Sequence, residues 1–146
     1  MCWRAFKKRD KRVRVADEDI TVFKVVRKVE DGLYLSYYKD YPYYLGRAYE
    51  MKGLSHKEID GNMRIEEGFH SYSSKECYIC IPYNNFGQIY ILKQKTWELS
   101  AVYDDIYDLC IIECTIPKGP KYYRNYYGEI VSDKITINKE IPREEW

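Results

Sequence analysis

Cys77-x-x-Cys80 and Cys110-x-x-x-Cys114 are the first residues here whose type and spacing could do chemistry. Four thiolates can hold zinc tetrahedrally, and the first pair has knuckle spacing. The second pair does not fit. Residues 109–116 (LCIIECTI) read as a strand, which sets Cys110 and Cys114 roughly 13 Å apart, too far to share one ion. They share a face with Ile112 and Ile116 and so read as small core hydrophobes. A redox role for Cys77 and Cys80 also fails, because Cys80 leads into Ile81-Pro82-Tyr83 rather than opening a helix. No metal is expected. The odd cysteine count, with Cys2 as the fifth, reads as free thiols in a reducing compartment.

The second group is Gly68-Phe69-His70-Ser71-Tyr72-Ser73. On a strand His70 and Tyr72 point the same way. Such a pair, with Ser73 on the following turn, can hold a phosphate or a ribose, or move a proton. The competing reading is a histidine that bonds a backbone carbonyl and stitches the turn. The third group follows a Pro117-Lys118-Gly119-Pro120 turn, where Lys118, Lys121 and Arg124 alternate with Tyr122 and Tyr123. Cations between aromatic rings suit an anionic, ring-bearing ligand by stacking plus charge. The plain alternative is a solvated hairpin tip. Glu113 and Glu129 are the nearest carboxylates. No HExxH, P-loop, GxSxG or GxGxxG occurs, and no serine or cysteine stands with a credible base.

Elements must bring these groups together. Ile20 to Lys28 alternates as a first strand, with Ile20, Val22, Lys24 and Val26 on one face. Asp31-Gly32 turns it into a returning strand, Leu33 to Tyr38. Leu109 to Ile116 is a central strand, and Gly128–Ser132 and Lys134–Asn138 close the chain with one or two more. Ile89-Tyr90-Ile91-Leu92 has no usable period, so residues 85–95 read equally as strand or short helix. Seventeen tyrosines are present, eleven of them within residues 34–49 and 122–127. Tyrosine favours strands, pocket walls and interfaces, where one end is dry and the other wet.

A length of 146 residues fits one domain. The net charge of +1 supplies no global field toward nucleic acid or an anionic membrane, so neither is expected as a partner. No apolar run reaches the roughly 20 residues of a membrane helix. The basic start lacks an apolar stretch after it and does not read as a secretory signal, so a cytoplasmic protein is expected. Residues 1–15 read as a basic arm and 16–146 as the domain.

Several segments also carry a family likeness. Asp17-Glu18-Asp19-Ile20 comes first, then Tyr44-Leu45-Gly46, then Gly68-Phe69-His70-Ser71-Tyr72-Ser73. Ile116-Pro117-Lys118-Gly119 before Tyr122-Tyr123-x-Asn125, and Gly128-Glu129-Ile130-Val131-Ser132-Asp133-Lys134-Ile135, complete the series. Over residues 16–138 the chain resembles an uncharacterised family of small proteins of gut bacteria and their phages. That resemblance implies an accessory protein, of a mobile element for instance, and no established activity. A remoter likeness is to ADP-ribosyltransferase-like folds, in which Lys24, His70, Tyr72 and Glu129 would face one cleft.

The expected fold is therefore α+β, a mostly antiparallel twisted sheet of six to eight strands with one or two short helices. The expected function is non-catalytic binding of a small anionic ligand, nucleotide-derived for example, without a cofactor. Its site would comprise His70, Tyr72, Ser73, Lys118, Lys121, Tyr122, Tyr123 and Arg124. Two readings stay open beside it: a tyrosine-rich interaction or self-assembly module, which would allow a homo-oligomer, and a transferase-like enzyme.

Overall fold

A computed structural model describes residues 3–5, 7–37, 39–59, 61–65, 67–83, 86–91 and 109–146, without the side chains of residues 59, 79–83 and 86–91. Met1, Cys2, Phe6, Tyr38, Asp60, Glu66, Asn84, Asn85 and residues 92–108 lie outside that description. Among the described residues fifteen strands follow in order. They are β1 (Trp3–Ala5), β2 (Arg14–Val15), β3 (Ile20–Glu30), β4 (Leu33–Ser36), β5 (Pro42–Tyr44), β6 (Ala48–Glu50), β7 (Lys57–Ile59) and β8 (Asn62–Ile65). Then come β9 (Phe69–Tyr72), β10 (Tyr78–Tyr83), β11 (Phe86–Ile91), β12 (Leu109–Ile116), β13 (Lys121–Arg124), β14 (Glu129–Ser132) and β15 (Lys134–Ile141).

The α+β expectation is overturned. The described residues form no α-helix; outside the strands only two 3-10 turns occur, at Lys8–Lys11 and Arg143–Glu145. Of the ambiguous tract 85–95, the described part, Phe86–Ile91, is strand, and the rest lies outside the described residues. β11 pairs antiparallel with β10 from Tyr78↔Ile91 to Tyr83↔Phe86. Its isoleucines and tyrosine prefer a pleated surface, where branched and aromatic side chains keep their rotamers. No helix among the described residues is long and apolar enough to cross a membrane.

One ten-stranded antiparallel sheet dominates, in the order β2-β13-β14-β9-β3-β12-β15-β6, with the β4–β5 hairpin attached to β3. The long central pair β3–β12 runs in unbroken register from Ile20↔Ile116 to Arg27↔Leu109. Alternation sends Val22 and Val26 of β3, with Cys110, Ile112, Cys114 and Ile116 of β12, to one face. Phe69 of β9, Ile130 of β14, Ile135 and Ile137 of β15, Tyr34 of β4 and Tyr43 of β5 join the same core. A flat sheet could not bring these together, so the sheet curls around this inner face. The other face of β3–β12 buries Val25, Leu109 and Ile111 with Cys77 and Ile141.

A three-stranded sheet, β1-β8-β7, covers the outer side of β13 and β14. It buries Trp3, Ala5, Met63 and Ile65 against Tyr123 and Val131. Asn125 stitches the two together. Its amide donates to the Arg4 carbonyl and to Glu129 Oε1, both at 2.9 Å, and its oxygen accepts from the backbone of Tyr127 and Glu129. The first fifteen residues, where described, are therefore part of the packed structure.

Candidate functional site

β3 forks its neighbours. Along one edge β12 accompanies it throughout, but the other edge is shared. β9 touches it at a single pair, Phe23↔Tyr72, and β4 takes over from Val26↔Ser36 onward. Lys24 and Val25 stand in the gap between, and there Lys24 reaches across in place of a strand. Its ammonium donates to the carbonyl of His70 on β9, satisfying a backbone acceptor that the sheet leaves over.

A cavity of about 330 Å³ opens at this fork. Tyr37, Tyr41, Tyr43, Tyr72, Tyr78 and Trp3 wall it, with Met51, Val25 and Ile130. Lys24, Ser36, Lys39, Glu67, Gly68, His70, Ser71 and Glu129 supply the rest of the lining. Ser71 and Lys24 belong to the inner face of their strands, and His70 and Tyr72 to the outer. Both faces of β9 reach the cavity because the fork passes between the two cores.

The walls are tightly set. Tyr43 stands edge-on to Tyr49 at 5.2 Å and to Phe69 at 6.4 Å, and Tyr41 lies 5.1 Å from Tyr43. The Tyr72 hydroxyl donates to the Tyr78 carbonyl at 2.9 Å, with the two rings 5.1 Å apart. The Trp3 indole donates to the Glu129 carbonyl at 2.9 Å. Such aromatic contacts each add about 0.5–1.5 kcal/mol beyond area burial.

Three polar groups distinguish the interior. Lys24 is only 6% exposed, and burial lowers its amine from 10.5 to about 8. Its ammonium lies 5.2 Å from the Tyr43 ring centroid, a cation–π distance. His70 is held neutral: burial first, then the Lys24 charge, lowers it to about 3. Its Nε2 is buried and has no protein hydrogen-bond partner among the described residues, and neither has the buried Oγ of Ser71. Buried polar atoms are ordinarily paired, so two orphans on adjacent residues at one cavity are unusual.

The cavity gathers only part of the expected site. His70 and Tyr72 line it. Ser73, one residue past β9, instead bonds Gly128 through its backbone. Lys118 is exposed, its backbone N–H donating to Asp19 at 2.9 Å. Lys121 and Arg124 are exposed near the β2 edge, Tyr122 packs on the inner core, and Tyr123 lies under Trp3 at 5.6 Å. The basic turn and the His70 strand thus serve different places. Lys24, Ser71, Tyr41 and Tyr43 complete the cavity, and Lys24 had a visible signal, being a charge within the apolar stripe Val22–Lys24–Val26. Lys24, His70, Tyr72 and Glu129, grouped by the remoter likeness, line one cavity. The first tyrosine cluster turns partly inward, with Tyr34 and Tyr43 buried and Tyr41 and Tyr44 exposed.

Cys77, Cys110 and Cys114 are free and buried. Cys77 donates to the Ser74 carbonyl at 3.4 Å, and burial pushes Cys77, Cys110 and Cys114 up to about 12. Cys80's side chain lies outside the described residues.

Lys24 makes the first prediction. An amine that ionises at about 8 folded and 10.5 unfolded binds fewer protons folded between those values. Stability therefore rises with pH through that window and is lost as pH falls through 8. Buried thiols and phenols titrate oppositely at high pH, so the quantity to measure is wild type minus Lys24→Met. Urea unfolding at pH 7 and 9.5 should show that difference shift by about 2 kcal/mol in favour of wild type. A constant difference would place the amine in water.

Compared with known proteins, the chain matches no family model, no curated protein and no solved structure.

Proposed function

We propose that this chain binds, without transforming it, a small anionic ligand built on a flat ring, of mononucleotide size or less, in the cavity at the β3 fork. One observation carries the reading. The neighbouring residues His70 and Ser71, each with a buried polar atom that has no protein partner among the described residues, line a tyrosine-walled hollow together with Lys24. An anionic group on Lys24 would form a charge-assisted bond in a low-dielectric setting. His70 Nε2 and Ser71 Oγ would take the ligand's remaining donors and acceptors, and the tyrosines would sandwich its ring.

Lys24, with Lys39 at the rim, replaces the Lys118–Arg124 turn as the cationic element of the site. A volume near the lower end of ligand pockets suits one ring system and one charged group rather than a dinucleotide. Glu129, the acid a transferase would need, already accepts from the Asn125 amide. These features favour binding over transfer. The family resemblance adds a setting to the proposal, an accessory protein of a bacterial or phage system.

The test is a thermal-shift screen of aromatic carboxylates, aromatic phosphates and mononucleotides. A ligand at a hundred times its Kd should add about 2.7 kcal/mol. Lys24→Met should weaken it by about 10- to 100-fold, the worth of a bond to a charged group. Melting curves that stay flat across the panel would remove the proposal.

A further inference from the structure

A second surface stands apart from the cavity. The turn between β13 and β14 exposes Tyr126 and Tyr127 by 65% and 68%, the most exposed large hydrophobic side chains described. Their rings meet edge-to-face at 5.7 Å and 81°. Seven of residues 4–14 are lysine or arginine, and the single acid among them is Asp10. Asp10 is turned inward, where its carboxylate accepts the Tyr126 backbone N–H at 3.1 Å and lies 3.8 Å from Arg9. The acid thereby spends its charge as a clasp that locks the basic segment beside the aromatic tip. Lys7 Nζ lies 4.1 Å from the Tyr126 ring centroid, and the Arg9 guanidinium 5.7 Å from it. The basic surface continues along the sheet edge, where β2 pairs with β13 at Arg14↔Tyr122 and Val15↔Lys121.

A net charge of +1 argued against a nucleic-acid partner, but net charge averages over the whole surface. The fold concentrates cations here and sets two exposed tyrosines among them. We propose that this surface, the Tyr126–Tyr127 tip with the clasped segment 7–14, binds single-stranded nucleic acid. Unstacked bases offer π-faces to the two rings while the phosphates follow the cations, an arrangement blind to sequence. Duplex DNA hides those faces, so it can use only the charge. A bilayer wants a continuous apolar face, which cations 4–6 Å from the ring interrupt.

The experiment is fluorescence anisotropy with labelled oligothymidine and oligouridine of about 12 nucleotides, titrated from low to physiological salt. Affinity should fall with salt, and Lys7→Gln with Arg9→Gln should reduce the log–log slope by about 1.4, or 0.7 per phosphate lost. Tyr126→Ala with Tyr127→Ala should weaken binding by at least about tenfold and leave that slope unchanged, because stacking displaces no counterions. Tyr126→Phe with Tyr127→Phe keeps the rings and should keep the affinity, which separates stacking from any loss of fold. Absence of binding at low salt would overturn the proposal. So would wild-type affinity in the alanine pair, or tighter binding to a duplex or to vesicles containing phosphatidylserine.

Discussion

Gly68→Ala is expected to destabilise the protein by about 3 kcal/mol or more, the sum of a steric and a backbone penalty. Gly68 has φ +149, a region that side chains with a Cβ avoid. A methyl group there would lie 2.4 Å from Val131 Cγ2 and 2.7 Å from Leu54 Cδ2. Val131 is fully buried between the two sheets, so it has nowhere to retreat. Relief must come from the backbone just before β9, the strand that carries His70 and Ser71 into the cavity. Stability and ligand affinity should fall together. Urea unfolding would show a lower midpoint at unchanged slope, by about 1 M or more for a domain of this size. A midpoint equal to wild type would mean that Gly68 is not confined as described.

The second large effect is acid sensitivity centred on His70. Its imidazole takes a proton at about 3 when folded and at 6.5 when unfolded, chiefly because burial disfavours the cation. Between those values the unfolded chain binds more protons, so stability falls as pH falls. At about 1.4 kcal/mol per pH unit, unfolding at pH 4.5 should require about 3 kcal/mol less than at pH 7.5. Carboxylates begin to titrate at the acid end of that interval, so the quantity to read is wild type minus His70→Asn. The other histidine, His56, is exposed. His70→Asn should therefore flatten the profile over this interval, and a variant that keeps the wild-type slope would locate the acid response elsewhere.

Much of the central sheet was legible from the chain. The alternation of Ile20–Lys28 and of LCIIECTI set both faces of β3 and β12, including the inward cysteines, because a period of two leaves little freedom once one face is buried. Asp31-Gly32 marked the β3–β4 turn, where Gly32 takes φ +83. The helix expectation failed where consecutive apolar residues carry no period, and there pairing with β10 decides. The cavity was half legible. His70 and Tyr72 follow from local alternation, but the fork depends on where β9 leaves β3 and β4 joins it, a long-range fact. Nor does spacing tell that β13 would face the N-terminal segment while β9 lies beyond β14. Tyrosine clusters misled for a related reason. Neighbours along a strand point to opposite sides, so a cluster in sequence, such as Tyr122 and Tyr123, divides between two cores.

Trp3 closes one wall of the cavity, yet its indole bonds a carbonyl 126 residues further along. During synthesis β1 cannot dock until β14, far along the chain, has been made. Contacts of such sequence separation pay loop-closure entropy before any reward and slow the final step of assembly. Until then the tryptophan and its companions remain exposed to rival pairings. The order of maturation is thus built into the topology. The central hairpins can form early, and the cavity at the fork is completed only when β1 docks on β14.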